Sequence, residues 1–455
     1  MVQKPLSEVA DFVRGIAFPK DDKSYVQRPG DVACLRTTNV QKHVEWGDLW
    51  FVPAKHVKRD DQNVRTGDIL ISTANSYELV GKVAQVASLP TPATLGAFIS
   101  LIRPKDNVHP KFLYHQLAWG KTQTRIREMS SNTTNISNVS TKKLATLELS
   151  VPNFDEQRLI VAELEKQFSR LDEAVANLQR AKANLKRYKA SVLKDAVEGR
   201  LVPTEAELAR REGRSFETGE QLLLRILETR RVEWKGRGAF SESSSATVGT
   251  ADLPAGWVWT TLGQCFHVAV GATPSRKEPS YWGGNIPWVS SGEVQLGRIR
   301  HTDEHISAAG LANSSTQLNP AGSVMIGMIG QGKTRGQAAI LDIEAANNQN
   351  CAAIWVSRTA IPPEYVFFWL MSRYTETRSE GSGNNQQALN KRLVEQIPLP
   401  LPPLAEQQRI VAEVDRRLSF VQSVQAEVDA NLKRAQALRQ ATLAKAFSAS
   451  PRGTE

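Results

Sequence analysis

The same helix-forming segment is written twice in this chain, 250 residues apart, and that doubling limits the possible folds more than any other feature. VPNFDEQRLIVAELEKQF begins at Val151 and LPPLAEQQRIVAEVDRRL at Leu401. Eleven positions are identical between 151–200 and 401–450, including the run IVAE at 160–163 and 410–413. The likeness continues upstream. GDILIS from Gly67 answers GSVMIG from Gly322, HPKFLYHQL around Phe112 answers PPEYVFFWL around Tyr365, and PLSEVADFVRG ending at Gly15 answers TLGQCFHVAVG ending at Gly271. These matches keep one order, with offsets between 250 and 256. The repeating unit is therefore a globular domain followed by a long helix. Its period lies far outside the roughly 20–50 residues of a solenoid repeat, so the pattern reads as domain duplication with pseudo-twofold character.

Asp155 is placed to cap a helix from Glu156 to about Glu198, roughly 65 Å long at about 1.5 Å per residue. Its apolar seam alternates by four and three through Leu164, Phe168, Leu171, Val175 and Leu178, then Lys182, Leu185, Lys189, Val192 and Ala196. That is a coiled-coil period with two basic interruptions. Gly199 supplies the stop and Pro203 follows it. A second helix from about Ala405 to Phe447 carries Val414, Leu418, Val421, Val428, Leu432 and Ala435 at the matching seam. Neither stripe can be buried by its own helix, so the expectation is an antiparallel pair holding the two domains apart; pairing with another molecule is the alternative.

Residues 1–150 show short apolar runs between turn residues (DVACLR, DLWFVP, DILIST, LVGKVAQV, AFISLIRP) and then helical spacing in FLYHQLAWGKTQTRIREM. The fold class expected is α+β: two strand-rich domains, 1–150 and 257–400, separated by a long antiparallel two-helix coiled coil contributed by 151–201 and 401–455. Between the halves, 202–256 holds an amphipathic helix from about Gly219 and a Gly- and Ser-rich flexible linker. The second domain opens at WVWTTLG, where Trp257 and Trp259 are spaced to share one strand face.

The net charge is +10, with 20 Lys and Arg against 14 acids in residues 1–150 but 11 against 10 in 257–400. A basic excess suits a polyanion, because Lys and Arg displace counterions from phosphates. Cys34, Cys265 and Cys351 are scattered and odd in number, which argues against a disulfide framework or a zinc site and for a reducing compartment. No apolar run is long enough to span a membrane, and no signal-peptide core is present.

GMIGQGKT at 327–334 matches the phosphate-binding pattern GxxxxGK[ST]. A P-loop needs a helix directly behind the lysine, whereas RGQAAILD reads as a turn and a strand, and the matching stretch STANSYELVGK lacks the Lys-Thr pair. The segment is read as a hairpin tip with exposed cations. No methyltransferase-like NPPY, nuclease pair or Ser-His-Asp set can be assembled, so no catalytic residue and no metal site is assigned. What remains are polar loops at equivalent places in each domain. The first domain offers Arg36, Thr37, Asn39, Asn75, Tyr77, Lys82, Asn132 and Asn135; the second offers Ser290, Ser291, Arg298, Lys333, Arg335, Gln337, Asn384, Asn385, Gln386 and Lys391. Arg can fork onto guanine and Asn or Gln onto adenine in the major groove, while Ser and Thr suit phosphates.

The proline-led LPLPPLAEQQRIVAEV and VPNFDEQRLIVAEL, together with LRQATLAKAF, YKASVLKDAVEGRL, TGEQLLLRIL and IPWVSSGEV, resemble the specificity subunit of a type I restriction-modification system over nearly the whole chain. The resemblance implies two target-recognition domains, each reading one half of a split, asymmetric site in double-stranded DNA. It also implies a helical pair that sets the spacer and docks methyltransferase subunits, and a cytoplasmic setting in a bacterium or archaeon. This chain would bind no cofactor; S-adenosylmethionine, ATP and Mg would belong to the methyltransferase and motor-nuclease subunits. A P-loop nucleotide-binding protein and a coiled-coil adaptor that binds no DNA are the competing readings.

Overall fold

The computed structural model describes residues 2–133, 136–233, 252–330, 333–379 and 388–448. The chain divides into two units, one of residues 1–180 with 428–455 and the other of 181–427. Each holds one strand-rich domain and part of both long helices.

In the first unit, the apolar runs expected as strands form a four-stranded antiparallel sheet in the order Ala10–Arg14, Ile99–Pro104, Ile69–Ser72, Val83–Gln85. A second sheet places Asp31–Leu35 between antiparallel Trp50–Pro53 and parallel Ala93–Leu95. The ribbon Val2–Pro5 with Glu148–Val151 joins the two ends of the domain. The second unit repeats the plan. Val268–Val270, Cys351–Ile354, Val324–Gly327 and Ala338–Leu341 form the main sheet with Gly297–Ile299 added at its edge. Trp282–Val289 lies between antiparallel Glu304–Ile306 and parallel Ala346–Asn347, and the ribbon pairs Val258–Thr261 with Pro398–Leu401.

The repeated glycines have matching physical causes. A Cβ on Gly15 would stand 2.0 Å from the Gly96 carbonyl oxygen, and one on Gly271 would stand 1.9 Å from the Asn347 oxygen. In both domains the chain just after the first sheet strand bonds across this close approach, Ile16 N–H to Leu95 O at 2.7 Å and Ala272 N–H to Asn347 O at 3.0 Å.

The long helices span Phe154–Val197 and Leu404–Ser448. The Glu-Gln pair that opens both is explained by the bend from ribbon to helix. Buried Gln157 donates to the Pro152 carbonyl at 3.0 Å, and buried Gln407 donates to the Pro402 carbonyl at 2.8 Å, so each clamps its own entry turn. The cap of the first helix is Asn153, whose Oδ1 accepts the Glu156 N–H at 2.9 Å; Asp155, expected in that role, lies exposed in the first turn. Gly199 ends the helix region with φ +70, as expected.

Within the first unit Leu164 and Phe168 are buried with Leu443 and Phe447, Arg439 lies 4.2 Å over the Phe168 ring, and it bonds Asp172 at 2.6 Å. Within the second, Val192 and Ala196 share a core with Val414 and Ile410. In each unit an early segment of one helix meets a late segment of the other, so the pair is antiparallel. The seam is the least exposed stripe: Val421, Val428 and Ala435 are buried, and Leu171, Val175, Leu178, Leu185, Leu418 and Leu432 are half-buried. Among the basic interruptions, Lys182 is exposed.

Two stretches carry more detail than their spacing gives. FLYHQLAWGKTQTRIREM is two helices, Pro110–Ala118 and Gly120–Glu128, because Trp119 adopts extended backbone at ψ 132. In 202–256 the amphipathic helix expected from about Gly219 is present, and a shorter helix precedes it. Glu205–Glu212 and Gly219–Val232 are both helices with Thr capping boxes, and Leu222 and Ile226 are buried in the second unit's core. The Gly- and Ser-rich part, 234–251, lies outside the described residues.

Candidate nucleic-acid interface

One backbone frame gathers the polar loops of each domain. In the first, Thr73 at the end of a sheet strand receives the Phe98 carbonyl on its N–H at 3.0 Å and gives its own carbonyl to Val139 N–H at 2.9 Å. In the second, Met328 bonds Asn350 O at 2.8 Å and Leu389 N–H at 2.9 Å in the same way. A third loop joins through Gly96 N–H to Leu35 O at 2.8 Å, matched by Asn348 N–H to Val289 O at 3.0 Å. Loops 36–43, 73–77, 96–98, 130–133 and 136–139 thus converge, as do 290–295, 328–330, 333–337 and 348–350.

The loop after Leu35 and the loop after Val289 are both single 3-10 turns closed by a side chain three residues on. Asn39 Oδ1 accepts the Arg36 N–H at 2.9 Å, and Glu293 accepts the Ser290 N–H at 2.6 Å. Asn39 consequently does not face solvent: it is buried and its amide also donates to the Glu45 and Asp48 carbonyls at 2.8 and 2.9 Å. Thr37, Ser290 and Ser291 stay half-exposed on these turns. Arg36 is stacked at 4.5 Å on Trp50 and bonded to Asp48. Lys82 bonds Gln41, which ties the first loop to the strand after the second.

Asn75 stands in a polar three-stranded sheet with Ser131–Asn132 and Ser137–Asn138. Its amide donates to Ser72 Oγ at 3.2 Å, while Asn132 and Tyr77 are exposed beside it. Asn135 lies outside the described residues, as do Asn384, Asn385 and Gln386.

In the second domain Arg298 is committed to Asp342 at 2.7 Å and Glu364 at 2.5 Å, which hold its guanidinium protonated although burial opposes this. Arg335 donates to the Arg378 carbonyl, and Lys391 pairs with Glu395 at 3.7 Å. Gln337 is half-exposed, and its carbonyl accepts the Gly327 N–H. Lys333 is exposed, with its carbonyl held by the Tyr374 hydroxyl at 2.7 Å. The P-loop-like segment closes as a hairpin, Gly336 N–H to Gly327 O at 2.8 Å, and leads into the strand Ala338–Leu341. Among the described residues no helix N-terminus stands behind Lys333, where a P-loop requires one. Among the described residues no cluster of His, Cys, Asp or Glu could hold a metal ion, and no helix is long and apolar enough to cross a membrane.

Sequence reasoning missed Phe98. It read AFISLIRP as one strand, but the strand begins at Ile99 and leaves Phe98 in the turn, 65% exposed. Alternation carries no signal here, because Ile99, Ser100, Leu101 and Ile102 are all buried.

The model of the type I restriction modification DNA specificity domain matches residues 2–186 and 254–426, one copy for each half of the internal repeat. The chain belongs to this family. Similar members include the specificity subunit of the type I restriction enzyme EcoKI from Escherichia coli K12, 23% identical over 97% of this chain and 87% of that one. The StySPI specificity subunit from Salmonella potsdam is likewise 23% identical, with the same coverage. Among solved structures, a chain described under complex assembly and conformational transition of the type I R-M system aligns with TM-score 0.69 and 17% identity, covering 98% of this chain and 97% of that one. The frames around Thr73 and Met328 fall one in each of the two matched halves.

Proposed function

We propose that each strand-rich domain, 1–150 and 257–400, reads one half of a bipartite asymmetric DNA site. The helical segments 151–201 and 401–455 fix the spacing and dock methyltransferase subunits. The observation that carries this reading is the repetition of one loop frame, hydrogen bond for hydrogen bond, in two domains that each continue directly into a long helix. Two such frames in one polypeptide suit two short words better than one long word. In this reading the protein is the recognition component of its complex. S-adenosylmethionine and the methyl-transfer chemistry reside on the methyltransferase subunits, ATP and Mg act with the motor-nuclease subunits, and the assembly works in the bacterial or archaeal cytoplasm.

Base reading falls to Asn75, Tyr77, Lys82 and Asn132 in the first domain and to Ser290, Ser291 and Gln337 in the second, where Lys333 meets a phosphate. Arg36 and Arg298 position these loops through their carboxylate partners.

The test is methylome sequencing of cells carrying altered subunits with their methyltransferase. Exchanging residues 1–150 for those of another specificity subunit is expected to change one half-site only. Inserting one heptad at matching points of both long helices adds about 10 Å and keeps the seam in phase. It is expected to lengthen the spacer by about three base pairs of roughly 3.4 Å each without altering either half-site. An unchanged spacer, or a change in both half-sites after the exchange, would refute the reading.

A further inference from the structure

Phe98 and Asn350 occupy the same place in the two recognition frames. Their carbonyls accept from Thr73 and Met328, the equivalent residues after the central sheet strand, and each follows the loop residue, Gly96 or Asn348, that bonds back to Leu35 or Val289. A lone exposed ring is common on any protein surface. Phe98 differs from such a ring in its surroundings and its counterpart. The Phe98 carbonyl also accepts from Ala74 N–H at 3.3 Å, which sets the residue against the strand carrying Asn75 and beside the Asn- and Ser-rich sheet. In the second domain the same backbone position presents a carboxamide instead of a ring, so the frame is held constant while the chemistry at its tip changes.

The major groove offers a partner for each. The C5-methyl of thymine is the one apolar group a base edge presents there, and an aromatic ring can cover it; adenine N6 and N7 match the donor and acceptor of an Asn amide. We propose that Phe98 and Asn350 are equivalent base-reading positions, Phe98 covering a thymine methyl in the first half-site and Asn350 pairing with adenine at the matching step of the second. This rests on the reading that each domain binds one half-site.

The experiment uses the full chain with its methyltransferase subunits and maps the methylated motif genome-wide, followed by competition between duplexes differing at single positions. F98A is expected to relax one position in one half-site, lowering the preference for thymine about fourfold, the factor expected for loss of one methyl burial. F98L should retain the preference, F98N should move it towards adenine, and N350F should move the corresponding position of the other half-site towards thymine. A bipartite motif left unchanged by F98A and F98N would overturn this inference and leave the two-domain reading intact. Changes in both half-sites from F98A alone would overturn the two-domain reading. Loss of all methylation in F98A, F98L and F98N alike would make the ring a structural part and overturn the inference as well.

Discussion

The duplicated Glu-Gln pair predicts opposite outcomes for one substitution made in its two copies. Glu406 is fully buried. One carboxylate oxygen accepts the Trp257 indole N–H at 2.9 Å, and the other accepts the Glu205 backbone N–H at 2.7 Å, at the start of the helix Glu205–Glu212. Glu205 is itself buried between Arg214 and Arg409, both at 2.6 Å. Glu156, the same residue of the first copy, is exposed. In E406A two donors lose their acceptor inside the second unit. With hydrogen bonds to charged groups contributing about 1.5–3 kcal/mol each, the expected loss for two is about 3–6 kcal/mol. For a unit of this size each kcal/mol shifts Tm by about 2–4 °C, so the transition of the second unit should fall by roughly 10 °C. E156A should stay within about 0.5 kcal/mol, as exposed substitutions do. E406Q keeps one acceptor and should lie between them. Differential scanning calorimetry of the three variants measures this directly. Equal shifts for E406A and E156A would refute the claim that this contact stabilises the second unit.

Other outcomes follow from the same geometry. Gly15→Ala and Gly271→Ala each force a Cβ into a backbone carbonyl, an overpacking of about 1–3 kcal/mol or more. Binding assays with duplexes mutated in one half-site should show the first variant defective only for the first half-site and the second only for the other. Burial pushes the Glu406 carboxyl upward against the bonds from Glu205 N–H and Trp257. The proton-linked part of its contribution is therefore fully present below the ordinary Glu value of about 4.3 and is lost as pH rises through the elevated value, while the bonds to Trp257 and Glu205 N–H remain. Burial also opposes ionisation of Glu205, but Arg214 and Arg409 outweigh it and hold that carboxyl low. Its contribution is present above the ordinary value and is lost as pH falls through the depressed one. Urea denaturation across this range should show wild type gaining on E406Q towards acid pH and losing ground to E205Q below the ordinary value.

The long helices were legible because a seam repeated at the same spacing in two copies has one explanation, and the burial of Leu164, Phe168, Val414 and Val421 follows it. Their exact start was not. Asn153 and Asp155 are both good caps, and the choice is made by where Pro152 lets the chain turn, a matter settled by the Gln157 clamp. The helix Glu205–Glu212 carried its signal openly in Thr204 and Glu207, a capping box three residues apart. It was overlooked because it is short and its apolar stripe is thin. Loop composition singled out polar loops that share one backbone frame in each domain but could not say which side chains turn inward. Asn39 and Asn132 have the same chemistry, yet Asn39 is consumed by three backbone groups while Asn132 is exposed. Nothing local in the sequence separates them.

If each domain holds one half-site as proposed, their unequal charge predicts different means of holding it. The first carries 20 cations against 14 acids, the second 11 against 10. In the second, Arg276 is bound to Glu304, Arg298 to Asp342 and Glu364, and Lys391 to Glu395. A cation already neutralised by a carboxylate releases few counterions when it nears a phosphate, and each phosphate neutralised contributes about 0.9 to the slope of log K against log salt. The second domain should therefore depend on neutral donors and acceptors, Ser290, Ser291 and Gln337, with Lys333 its exposed charge at the candidate loops. Binding titrations of the assembled complex over a salt series test this. K333A is expected to lower the slope by about one, whereas alanine at Ser290 or Gln337 should weaken binding to the cognate site and leave the slope unchanged. A slope that falls equally for all three would mean that these loops meet the backbone and not the bases.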